Sequence, residues 1–173
     1  MNIADKIRHV PDFPKPGIDF LDITTVLLDS EAFGYVIDNF VKELDGVDFD
    51  VIVSLEARGF ILGAPVAYAL KKGFIPIRKK NKLPWDKISV QYDLEYGFDV
   101  FEIHADAIKP GQRVVIVDDL LATGGTLEAS VKLVEQLGGE VVKSMFFIEL
   151  DFLKGREKLD GYDIFSIIKT WNV

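Results

Sequence analysis

The chain has 173 residues, 49% of them hydrophobic, with 28 acidic side chains against 20 basic ones and no cysteine. That length suits one domain with a sizeable core, and the missing thiols exclude disulfides and cysteine-ligated zinc. A net charge of −8 opposes a nucleic-acid-binding surface. The amino terminus lacks a basic-then-apolar leader, and no run approaches the ~20 apolar residues of a membrane helix. A cytoplasmic protein is expected.

In chain order, residues 2–9 read as a short helix, and residues 10–17, with three prolines and a glycine, as an irregular arm. Phe33, Ile37, Phe40, Val41 and Leu44 carry helical spacing over 30–45. Val51 to Ser54 is a first core strand. Residues 59–70 are apolar and helical, with Pro65 expected to kink them and Gly63 and Ala64 allowing close packing on a sheet. In strand 74–77, Pro76 predicts a bulge or an edge. Residues 86–105 form two hairpin strands joined near Tyr96-Gly97-Phe98, and Lys109-Pro110-Gly111-Gln112 is a turn. Strand 113–118, helix 125–137 and strand 140–149 make a βαβ unit, and 164–168 is a last strand. Strands alternating with helices predict an α/β fold with a mainly parallel sheet.

The chemistry concentrates in Val114-Val115-Ile116-Val117-Asp118-Asp119-Leu120-Leu121-Ala122-Thr123-Gly124-Gly125-Thr126. Four β-branched residues read as a buried strand, and ligands of open α/β sheets bind at the carboxyl ends of such strands. Ala122 to Thr126 offer backbone N–H donors, two hydroxyls and two glycines where a helix begins. Such a loop is suited to a phosphate. It is not a Walker A loop, since no Gly-Lys-Ser/Thr follows, nor a G-x-G-x-x-G fingerprint. Asp118 and Asp119 beside it suit vicinal sugar hydroxyls; a strand end and helix cap is the alternative for a lone Asp-Asp. A phosphate site next to a diol site points to a ribose 5-phosphate.

This string resembles the phosphoribosyl-pyrophosphate-binding motif of type I phosphoribosyltransferases, in wording closest to the members that use adenine. Phe13-Pro14-Lys15-Pro16-Gly17-Ile18, Asp22-Ile23-Thr24, Glu56-Ala57-Arg58-Gly59-Phe60, Ile77-Arg78-Lys79, Lys82-Leu83-Pro84, Leu94-Glu95-Tyr96-Gly97 and Leu153-Lys154-Gly155-Arg156-Glu157-Lys158-Leu159 are similar to that family too. The resemblance covers about residues 10–170. It implies a single domain over 1–173 with a five-stranded core sheet flanked by helices, a small hood from the arm at about 1–25, and a flexible β-hairpin loop at about 80–104. It implies transfer of a phosphoribosyl group from phosphoribosyl pyrophosphate to adenine, giving AMP and pyrophosphate. It also implies Mg²⁺ held mainly by substrate and water with no direct protein ligand, and a homodimer.

The resemblance further assigns roles. Arg58 lies in a pyrophosphate loop, with a cis peptide expected at Glu56–Ala57. Arg78, Lys79 and Lys82 reach pyrophosphate, although a solvated basic loop is the alternative for a lone charge run. Glu95 handles the purine proton and Tyr96 closes the lid, where the residues alone suggest an ordinary turn. Phe20 is a stacking wall, and Asp19 meets the base mainly through backbone. Leu21 departs from the family, which often has Arg or Lys there, and Asp19 stands where an apolar residue is common. These departures bear on base choice, so hypoxanthine, guanine or xanthine are rival substrates. A regulator that binds phosphoribosyl pyrophosphate without turnover is a rival of another class, opposed by a pI near 4.8 and by the few residues before the arm. His9 and His104 make no metal set by spacing.

Overall fold

The computed structural model describes residues 1–94 and 97–170. Its strands are β1 (Arg8–Pro11), β2 (Asp19–Asp22), β3 (Val51–Leu55), β4 (Gly73–Lys79), β5 (Lys87–Asp93), β6 (Phe98–His104), β7 (Arg113–Leu121), β8 (Glu140–Leu150) and β9 (Ile164–Thr170). Its helices are α1 (Thr24–Leu28), α2 (Ser30–Glu43), α3 (Arg58–Leu70) and α4 (Gly125–Gln136), with 3₁₀ turns at Ile3–Lys6, Asp151–Leu153 and Gly155–Leu159.

The main sheet runs β5-β6-β4-β3-β7-β8-β9. Strands β4, β3, β7, β8 and β9 pair in parallel, as a five-stranded core. The sheet nevertheless has seven strands, not five. The expected hairpin joins it, because β6 pairs antiparallel with the end of β4 at Arg78↔Glu102 and Lys79↔Phe101. What sequence reading treats as a separate loop is thus rooted in the sheet edge.

Both faces are covered. Side chains of a strand alternate between faces, and β7 does so between two cores. Val114 and Ile116 pack with Leu127, Val131 and Val134 of α4. Val115 and Val117 pack with Val36 and Phe40 of α2 and Leu62 and Val66 of α3. Helix α2 starts where the Asp29 carboxylate accepts from the N–H groups of Glu31 and Ala32 at 3.0 and 3.1 Å. Such a cap contributes about 1 kcal/mol.

One local expectation changes, and the two prolines take defined places. Residues 2–9 are not one helix: a 3₁₀ turn gives way to β1, which pairs antiparallel with β2 into a separate two-stranded sheet. Helix α3 runs from Arg58 to Leu70 with Pro65 inside it. Pro76 meets the edge expectation locally: β4 lies inside the strand order, but at Pro76 it pairs only with β3. Ile77 directs its carbonyl to the Glu56 N–H at 3.0 Å, toward β3. Its neighbour Pro76 therefore turns its missing N–H away from β3, on a flank where β6 pairs only from Arg78 onward.

Candidate active site

Strand β7 runs past its two carboxylates to Leu121, three residues beyond the expected end at 118. Pairing with β8 continues to Leu121↔Glu149, which holds Asp118 and Asp119 in extended backbone at the sheet's carboxyl edge. Both are buried, at 9% and 6% exposure. The start of α3 presses on them. A Cβ on Gly59 would stand 2.7 Å from Asp118 Oδ1 and 3.3 Å from the Val117 carbonyl. The residue at 59 must therefore lack a side chain. Asp118 Oδ1 accepts from the Asp119 N–H at 2.9 Å, and Arg58 Nε pairs with Asp119 Oδ2 at 2.8 Å. Burial, and then the neighbouring Asp119 charge, push the Asp118 carboxyl well above the usual carboxylate range.

Beyond Leu121 the chain turns through Ala122 and Thr123 to Gly124, whose φ of 85° opens α4. A left-handed residue there favours glycine. The first turn of α4, with its free N–H groups and positive dipole end, borders a cavity of about 360 Å³. The walls include Glu56, Arg58, Lys79, Tyr92, Asp118, Asp119 and residues 122–126. Two strand-to-helix turns, β3–α3 and β7–α4, thus meet over one space. The peptide Glu56–Ala57 in the first of them is cis, as expected.

A second, smaller space of about 140 Å³ opens beside the first, lined by Ile18, Asp19, Phe20, Leu21, Ile148 and Leu150. Arg58, Asp119 and Leu120 line both. Phe13 meets the Phe20 ring edge-on at 5.2 Å, and the Arg58 guanidinium lies 5.4 Å from the Phe20 centroid. The space is small and mainly apolar. Asp19 turns one carboxylate oxygen to His9 Nδ1 at 2.5 Å.

The basic segment divides. Lys79 lines the larger cavity and pairs with Asp99 at 3.2 Å. Arg78 and Lys82 are not among its walls; both converge on Glu56, with Arg78 Nε at 3.1 Å and Lys82 Nζ on the other oxygen. Glu56 also accepts the Lys79 N–H at 3.0 Å. Burial opposes ionisation of Glu56, but the bonds from Lys82, the Lys79 backbone and Arg78 outweigh it and bring its pKa down to about 2. Glu95 and Tyr96 lie outside the described residues. Their neighbours Asp93 and Leu94 line the cavity, and the Leu94 N–H donates to the Gly97 carbonyl at 3.0 Å. Tyr92, behind them, packs on Phe101 at 4.5 Å; burial raises its hydroxyl pKa.

Sequence reasoning missed Glu56 as the organiser of the basic segment, and Tyr92, Ile148 and Leu150 as walls. For Glu56 the signal was its place just before Ala57-Arg58; Ile148 lies in a strand that reads as core, Tyr92 in the expected hairpin, and Leu150 just past the expected strand end. Among the described residues no group of three or more His, Asp and Glu is arranged to hold a metal ion.

Residues 25–173 match the family model described as a phosphoribosyl transferase domain. The chain is therefore built on a phosphoribosyltransferase domain, with the mainly parallel sheet of that fold. The adenine phosphoribosyltransferase of Acetivibrio thermocellus is 62% identical over 170 residues, covering 98% of this chain and 99% of that protein. The crystal structure of the enzyme of that name from Thermoanaerobacter pseudethanolicus is 60% identical, with a TM-score of 0.95 over 97% of this chain and 98% of that one. The Saccharomyces cerevisiae structure, complexed with an imino-altritol bisphosphate and adenine, is 42% identical, with a TM-score of 0.92 over 96% of each chain. The chain belongs to the adenine phosphoribosyltransferase family.

Proposed function

We propose that this protein transfers the 5-phosphoribosyl group of phosphoribosyl pyrophosphate to adenine, releasing AMP and pyrophosphate in purine salvage. The observation that carries the reading is the pair of adjoining spaces. One is lined by the glycine loop and two carboxylates. The other is small and mainly apolar, and they join at Arg58, Asp119 and Leu120. A sugar spanning the junction places its anomeric carbon between a leaving group on one side and a base on the other.

In this reading residues 122–126 anchor the 5-phosphate through N–H groups and the Thr123 and Thr126 hydroxyls. Asp118 and Asp119 hold the ribose hydroxyls. A purine nitrogen attacks the anomeric carbon, the bond to pyrophosphate oxygen breaks, and positive charge develops on the sugar; the buried carboxylates stabilise it. Arg58 and Lys79 face the pyrophosphate. Glu56 keeps Arg78 and Lys82 beside it. Phe20 supplies a stacking face, and the backbone at Asp19 the base edge. Glu95 takes up the purine proton, and Tyr96 closes a lid that keeps water from the activated sugar.

Mg²⁺ is the cofactor in this proposal. Bound with the substrate, it would supply charge neutralisation to the leaving pyrophosphate, held mainly by substrate and water. The active form is a homodimer of single-domain chains, in the cytoplasm. No helix among the described residues is long and apolar enough to cross a membrane.

The test is incubation with phosphoribosyl pyrophosphate, Mg²⁺ and each purine in turn. AMP from adenine alone is expected, with Leu21 tolerated. Product only from a 6-oxopurine overturns the base assignment. Tight binding of phosphoribosyl pyrophosphate with no product from any base replaces the enzyme with a regulator.

A further inference from the structure

The Leu153-Lys154-Gly155-Arg156 turn lies far along the chain from the phosphate loop, yet the two backbones interlock. A Cβ on Gly155 would stand 2.3 Å from the Ala122 carbonyl oxygen and 3.1 Å from the Gly124 nitrogen. A Cβ on Gly124 would stand 2.5 Å from the Gly155 carbonyl oxygen. Each glycine thus fills the space that the other strand of the contact leaves. Both colliding groups are main chain, so no flexible side chain can swing aside.

The turn itself is held rigidly from behind. Lys154 has a φ of 53°, which reverses the chain between the two 3₁₀ turns. Arg156 then donates to both oxygens of Glu149 at 2.5 and 2.7 Å and to the Ile164 carbonyl at 2.6 Å. Glu149 is 2% exposed, and the Ser166 hydroxyl donates to it at 2.6 Å. A two-armed guanidinium–carboxylate pair of this kind fixes orientation as well as distance. The same segment begins at Leu150, a wall of the smaller, apolar space.

We infer that Gly155, fixed by Arg156, is a positioning residue for the reaction: it braces the Ala122–Gly124 backbone in the conformation that receives the 5-phosphate. This rests on the phosphate reading of residues 122–126. Gly155 touches no reacting atom; its effect passes through the loop.

Gly155→Ala is the cleaner of the two glycine variants, because Gly124 has a positive φ and would add backbone strain of its own. With the folded protein, the KM for phosphoribosyl pyrophosphate and the Kd for AMP should rise about tenfold or more, while the KM for adenine and the Kd for adenosine stay within about twofold. Arg156→Lys keeps the charge but loses the fork, and should shift the same two constants in the same direction by about threefold. If Gly155→Ala does not fold, Arg156→Lys decides on the same comparison. An unchanged KM, with kcat falling only as the folded fraction falls, overturns the inference and leaves a structural contact. Wild-type protein that binds AMP no better than adenosine removes the phosphate reading itself, and the inference with it.

Discussion

Replacing Asp118 by Asn should make the protein more stable and far less active. Asp118 is buried beside a second carboxylate, and both burial and the Asp119 charge raise its pKa. In the unfolded chain neither cost exists. Two like charges at close range in an effective dielectric of ~20 repel by a few kcal/mol, on the order of 3. Arg58, 2.8 Å from Asp119 Oδ2, offsets part of this, so the net gain from removing the charge is on the order of 1 kcal/mol. Asn is nearly isosteric, fits against Gly59, and can keep its Oδ1 on the Asp119 N–H. For a chain of this length the gain corresponds to a Tm higher by about 2–4 °C. Loss of a buried charge that stabilises the transition state should lower kcat by about 100-fold or more.

The pH dependence sharpens the test. A carboxyl whose folded pKa is raised binds its proton more tightly in the native state. Its ionisation therefore costs stability as pH rises from the unfolded value, 3.8, up to the folded value, and the cost is complete above it. The stability difference between variant and wild type should grow across that window and then level off. Denaturant unfolding from about pH 4 to about pH 9, with kcat measured in parallel, follows it. A variant that loses stability, and loses activity only in proportion, would show the pair to be a strand end and helix cap. A variant that is more stable and fully active would refute the catalytic role.

Three further outcomes are expected. Glu56→Gln should cost about 1–2 kcal/mol at neutral pH, a figure discounted because Arg78 and Lys82 are 35% and 47% exposed. Because the Glu56 pKa is lowered from 4.5 to about 2, that contribution is present above 4.5 and lost as pH falls toward 2; acid titration of both proteins checks it, and parallel curves refute it. Phe20→Ala should raise the KM for adenine about 10- to 100-fold, the worth of one base–aromatic stack, with the KM for phosphoribosyl pyrophosphate unmoved; equal rises in both would show a general collapse of the arm. Chelation of divalent ions should abolish turnover and shift Tm by less than about 1 °C, since substrate and water are the expected ligands; a drop of several degrees would reveal a resident structural ion.

Much of this protein is legible along the chain because its signals are local. The β-branched run 114–117, the Asp118-Asp119 pair and the small residues 122–126 are contiguous, so the strand, the carboxylates and the loop announce one another. The spacing of Leu127, Val131 and Val134 marks α4 in the same way. The resemblance supplied the hood and the cis Glu56–Ala57 peptide, which no periodicity contains. Tertiary structure decided what depends on residues far apart in sequence. Parallel pairing with β8 carries β7 past its carboxylates to Leu121. The Arg78↔Glu102 and Lys79↔Phe101 pairs make the hairpin part of the sheet. Glu56 meets Arg78 and Lys82 only because β3 and β4 lie side by side. Gly155 meets Ala122 and Gly124 only because β7, β8 and β9 end at one edge. A sequence states which groups each short segment can offer; the distance between two offers is set by strand order, and strand order is a property of the whole packed sheet.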